Sequence, residues 1–145
     1  MAIEVGANAP EFDLVSHTNE RFTLSQFKDK KTVVLAFYVF DFTGGWTNQI
    51  SSFSGANPTF EEKNVQVLGI SCDTQHSHRA WSNSLGNIRF PLLADFHPHG
   101  EMCKAYGVFN ETNGAPRRAI IIINTKGKVI FSQEYTSIPS PDEIL

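Results

Sequence analysis

Val33-Val34-Leu35-Ala36-Phe37-Tyr38-Val39-Phe40 is apolar without interruption. The run is too short for a typical helix and is rich in β-branched and aromatic side chains, so it reads as a strand buried on both faces. Val65-Gln66-Val67-Leu68-Gly69-Ile70 and Ala119–Ile123 read the same way. Val129-Ile130-Phe131 pairs with the last of these through the turn Asn124–Lys128, where Gly127 can take a positive φ. Nearer the start, Phe12–Leu14 and Arg21–Leu24 flank the polar segment Ser16–Glu20, which predicts a small N-terminal hairpin.

Three helical stretches alternate with these runs. Ile50 and Phe53 share a helical face, but Gly55 and Asn57-Pro58 predict a break, with Asn57 as N-cap and Pro58 opening a new helix over Thr59–Lys63. Asp73 or Thr74 caps a second helix, on which Trp81 and Leu85 share the core face. Glu101–Tyr106 forms a third, stopped by Gly107. Strands alternating with helices and ending in a hairpin describe one α/β domain over residues 1–145, with no linker or repeat.

Composition narrows the function classes. A chain of 145 residues buries about two-thirds of its unfolded surface, enough for a core without cross-links. Two cysteines, Cys72 and Cys103, cannot make a disulfide framework. The net charge of −3, without a basic run, argues against a nucleic-acid surface. No apolar run approaches the roughly 18 residues of a membrane span, and residues 1–5 carry no signal-peptide pattern. A cytoplasmic protein is expected. Twelve phenylalanines predict a core rich in aromatic packing.

At Phe37-Tyr38-Val39-Phe40-Asp41-Phe42-Thr43 the chain resembles the peroxiredoxins, the alkyl hydroperoxide reductase and thiol-specific antioxidant family. The similarity extends from Val5–Phe12 through Val67–Asp73, Ser77–Trp81 and Phe90–Asp95 to Pro98–Gly100, Lys104–Val108 and Arg117–Ala119. It is nearest to bacterial one-cysteine members. The resemblance implies a thioredoxin-like fold with a central mixed sheet flanked by helices, a homodimer, and a small-molecule or protein redox partner; no cofactor or metal is expected. It also implies a C-terminal helix, of which a chain ending at Ile144-Leu145 is expected to stop slightly short.

The family signature P-x-x-x-T-x-x-C places its proline at Val39, its threonine at Thr43 and its cysteine at Trp46. Arg118 matches the family arginine, with Arg117 one register step away. In the family's chemistry a thiolate, its pKa lowered by a helix N-terminus and a guanidinium, attacks the peroxide oxygen. The threonine and arginine stabilise charge developing on the leaving oxygen. An indole has no nucleophilic lone pair and donates only through its N–H. Trp46 therefore implies that peroxidase chemistry at the usual site is absent.

Cys72 is the alternative thiol. It follows a buried strand and precedes a helix, so it falls near the sheet edge where α/β sites form, as either a reactive thiol or a small packed hydrophobe. Cys103 lies within a helix, where packing is the simpler reading, and a Cys72–Cys103 bond depends on geometry that sequence does not supply. His76, His78, His97 and His99, with Cys103, offer zinc-type donors but no compact Cys/His spacing. Local hydrogen-bonding roles explain these histidines more simply.

Overall fold

A computed structural model describes residues 2–41 and 44–135, with the backbone alone for 44–52; Thr43 lies outside the described residues. Its elements are β1 (Asp13–Val15), β2 (Arg21–Thr23), a 3-10 turn (Ser25–Phe27), β3 (Thr32–Phe37), α1 (Gly44–Glu62), β4 (Val65–Ser71) and α2 (Gln75–Ser84). They continue with β5 (Leu92–Ala94), α3 (Glu101–Ala105), β6 (Phe109–Asn110), β7 (Ala115–Pro116), β8 (Ala119–Ile123) and β9 (Val129–Glu134). The central sheet runs β5-β4-β3-β8-β9. β3 is parallel to β4 and antiparallel to β8, and β4 is parallel to β5. This is the mixed sheet expected of a thioredoxin-like α/β fold.

Strand periodicity divides the core in two. Val33, Leu35 and Phe37 face a cluster that includes Phe12, Leu68, Cys72, Met102, Cys103 and Tyr106. Val34, Ala36 and Tyr38 face Phe53 and Phe60 of α1 and Trp81 of α2. The uninterrupted apolar character of β3 follows, because both of its faces are covered. Phenylalanine is prominent on both sides, and the Phe53 and Phe60 rings stack with centroids 6.0 Å apart.

Two sequence expectations need correction. The strand predicted to reach Phe40 ends at Phe37: Tyr38 still donates to the Ile70 carbonyl, and beyond it the Asp41 N–H leaves the ladder for Asp73 Oδ2 at 2.8 Å. The helix predicted to break at Gly55 and Asn57-Pro58 is continuous from Gly44 to Glu62 with Pro58 inside it. Asn57 is buried and does not cap a new helix: its amide donates to Glu61 Oε1 and to the Arg89 carbonyl. Burial of Phe53 and Phe60 outweighs the backbone hydrogen bond that a proline forfeits. The second helix is capped by Thr74, whose hydroxyl accepts the Ser77 N–H at 3.2 Å. The β8–β9 turn has Gly127 at φ +82°, as expected.

The N-terminal hairpin is stapled to the far edge of the sheet. His17 donates its N–H to the Leu92 carbonyl, and its Nδ1 accepts the Leu92 N–H at 3.2 Å. The ring must be neutral to accept. Burial, with the charges of His78 and Arg79, holds the His17 pKa below its ordinary 6.5. A histidine whose folded pKa is depressed binds fewer protons folded than unfolded, so stability is full above pH 6.5 and is lost as pH falls below it. The denaturation midpoint is expected to decline on acidification from pH 7 to 5. His17→Gln, which keeps an acceptor but cannot be protonated, is expected to flatten that slope, and an unchanged slope would remove His17 as its source.

Candidate functional site

The parallel strands β3, β4 and β5 end at one edge of the sheet, and α1 and α2 begin there. Such an edge is where ligand sites form in α/β proteins. Tyr38, Ser71, His78 and Asp41 are all buried at this edge. The Tyr38 hydroxyl donates to Asp41 Oδ1 at 2.7 Å, and the Ser77 hydroxyl donates to Asp41 Oδ2 at 2.9 Å. His78 Nδ1 lies 2.8 Å from Asp41 Oδ2, and its Nε2 donates to the Leu93 carbonyl at 2.9 Å. Ser71 Oγ donates to Asp73 Oδ2 at 2.5 Å, the oxygen that also takes the Asp41 N–H. One connected network thus ties the segment leading into α1 to β4, α2 and β5.

The charge environment follows from burial. Burial and the neighbouring Asp41 push the Tyr38 phenol well above its ordinary value, so it stays a donor. Burial, against the Ser71 hydrogen bond, raises Asp73, and Asp41 adds to the effect. Asp41, Asp73 and His78 bring ligand atoms within 4.8 Å of one another. Both imidazole nitrogens are already engaged, however, and the arrangement works as a positioning network.

A second polar cluster lies in the opposite half of the core. Cys72 and Cys103 are 2% and 0% exposed, and their Sγ atoms are 4.0 Å apart. Asp95, also buried, accepts the Met102 N–H at 3.1 Å and the Cys103 N–H at 2.8 Å. The Cys72 contact, burial and the Asp95 carboxylate push the Cys103 thiol well above its ordinary value. Burial raises Asp95 against the hydrogen bonds it receives from Cys103 and Met102.

The residues singled out by sequence are distributed as follows. Val39 is half-buried on the segment that leads toward α1. Trp46 belongs to the first turn of α1, and its side chain lies outside the described residues. Arg118 immediately precedes β8, and burial lowers its pKa. Arg117 is committed elsewhere: it pairs with Glu134 at 2.7 Å and donates to the Phe109 and Gly107 carbonyls. The expected local roles are not what His78 and His99 show: His78 bonds residues 15 to 40 positions away, and His99 Nε2 donates to the Gly114 carbonyl at 2.7 Å. Sequence reasoning missed Tyr38, Asp41, Asp73 and Ser77. The available signal was a carboxylate directly after an apolar strand, and a histidine three residues before Trp81 on the core face of α2.

Comparison with known proteins agrees with this architecture. Alkyl hydroperoxide reductase E of Mycobacterium tuberculosis is 34% identical over 131 residues, 90% of this chain and 85% of that one. A chloroplastic 2-cysteine peroxiredoxin of Chattonella marina is 37% identical over 141 residues, 91% of this chain and 71% of that one. The reduced 2-Cys peroxiredoxin of Plasmodium vivax superposes with a TM-score of 0.89 at 32% identity, covering 98% of this chain and 78% of that one. No described helix is long and apolar enough to cross a membrane. Residues 5–132 match the AhpC/TSA family model, and with the sheet order and these relatives they make the chain a member of the AhpC/TSA, or peroxiredoxin, family.

Proposed function

We propose that this chain is a peroxiredoxin-family protein of the antioxidant, redox-homeostasis type that lacks the peroxidatic cysteine and does not reduce peroxides at the family's usual site. The family signature falls on Val39, Thr43 and Trp46, with Trp46 opening α1 where the cysteine belongs. The observation that carries this reading is the position of the chain's two thiols. Both are buried in the half of the core away from α1, so neither stands at the helix start where the family's thiolate acts. The hydrogen bonds that occupy Arg117 favour Arg118 as the family arginine. A homodimer in a reducing cytoplasm accords with the family and with two unpaired cysteines, and β9, with one strand neighbour among the described residues and Ile130 exposed on it, offers an edge. A small molecule or a redox protein remains the partner class.

A second reading gives the reactivity to Cys72, because its sulfur touches that of Cys103. Two thiols and one hydrogen peroxide would yield a disulfide and two waters, making the pair a peroxide sensor. Peroxide consumption by wild type, Cys72→Ser, Cys103→Ser and Trp46→Cys separates the two. The first reading expects the first three proteins to be equally inert and Trp46→Cys to gain measurable turnover. Rapid consumption by wild type that disappears in Cys72→Ser would overturn it.

A further inference from the structure

The surroundings of Cys72 and Cys103 are not those of two thiols packed only as hydrocarbon. Together with Asp95 they bring one ligand atom each within 4.8 Å of one another, and all three side chains are buried. A tetrahedral ion with sulfur bonds of about 2.3 Å holds its two sulfurs roughly 3.8 Å apart. The observed 4.0 Å is close to that spacing. The carboxylate is fixed in advance by the Met102 and Cys103 N–H groups, which occupy two of its roughly four acceptor positions and leave the others for a cation.

A route also exists. A cavity of about 350 Å³ reaches Asp95 and Met102, and its walls carry the carboxylates of Glu11, Asp13 and Glu101. Asp13 is paired with Arg21 at 2.8 Å, and Glu11 accepts backbone N–H groups of Leu24 and Ser25. Glu11, Glu101 and Asp95 thus supply most of the negative charge facing an arriving cation.

We infer that Cys72, Cys103 and Asp95 form a binding site for a thiophilic divalent cation of the zinc class, with water from the adjoining cavity completing the tetrahedron. Two thiols and a divalent ion give a dithiolate complex and release two protons. With the Asp95 carboxylate the site carries one negative charge before and after, so the core takes on no additional net charge. The proton release makes affinity rise with pH. The surrounding apolar cluster excludes competing water from the sulfurs.

The inference is independent of whether Trp46 abolishes peroxidase chemistry, and its test measures binding alone. Reduced, metal-stripped protein is titrated with cadmium while the thiolate-to-cadmium charge-transfer absorption is recorded, and with zinc in competition with a chromophoric chelator. One equivalent is expected to bind and to produce the absorption, which identifies sulfur ligation in the wild-type protein without recourse to a variant. Cys72→Ser and Cys103→Ser are each expected to lose the absorption and at least about 100-fold in affinity, beyond what loss of an outer partner brings. His97→Ala/His99→Ala is expected to bind as wild type. Absence of the absorption in wild type, or binding that survives in the double serine variant, would overturn the site.

Discussion

Replacing Asp41 with alanine is expected to lower the unfolding free energy by about 3 kcal/mol, since it leaves more than one buried polar group short of a partner. The reason is the number of groups that depend on one carboxylate. The Tyr38 hydroxyl, the Ser77 hydroxyl and His78 Nδ1 all point at Asp41, and Tyr38 and His78 are fully buried. Without the carboxylate, the buried Tyr38 hydroxyl and His78 Nδ1, 3.1 Å apart, have only each other, and a buried polar group short of a partner costs about 1–3 kcal/mol. Tyr38→Phe removes one donor and leaves the others paired, so it is expected to cost only about 1 kcal/mol. Urea denaturation of both variants with an unchanged m-value checks the pair. An Asp41→Ala loss below about 1 kcal/mol would mean that the network does not hold the segment before α1.

The second large effect is expected at Gly100. Its φ is +71°, a conformation that L side chains rarely adopt. A Cβ placed there would lie 2.3 Å from Phe109 Cε1 and 2.5 Å from Cδ1, far inside contact distance. Phe109 cannot swing away freely, because its ring packs on His99 at 6.1 Å and carries the Lys104 ammonium 4.9 Å from its centroid. Gly100→Ala therefore combines backbone strain of about 1–2 kcal/mol with overpacking of about 1–3 kcal/mol. A total near 3 kcal/mol is expected in chemical denaturation. A loss below about 1 kcal/mol would show that the turn before α3 repacks without resistance.

Legibility in the sequence followed the range of the interactions involved. β3, β4, β8 and the β8–β9 turn were readable because apolar runs and a turn glycine act locally. The short β5 was missed as a strand: Leu92-Leu93-Ala94 is too brief for a pattern and exists because β4 pairs with it. The false break at Pro58 came from weighing a backbone rule without knowing that Phe53 and Phe60 would stack across it. At the site, the motif positions Val39, Thr43, Trp46 and Arg118 came from resemblance. The Tyr38–Asp41–His78 network joins residues up to 40 positions apart, which no local pattern encodes. The contact between Cys72 and Cys103 belongs to the same class, because it spans 31 positions and depends on how α3 meets the end of β4.

The N-terminal segment crosses the sheet from edge to edge. Gly6 and Ala9 bond to the carbonyls of Val129 and Gly127, while Ser16 and His17 bridge to Leu93 and Leu92. During synthesis this segment emerges before the strands it bonds to, which lie far along the chain from it. Contacts of such long sequence separation form late, since the connecting loop must be closed before they are rewarded. The order in which the chain is made is therefore nearly the reverse of the order in which this strap can close, and the nascent domain waits for its last hairpin before its first residues have a place to go.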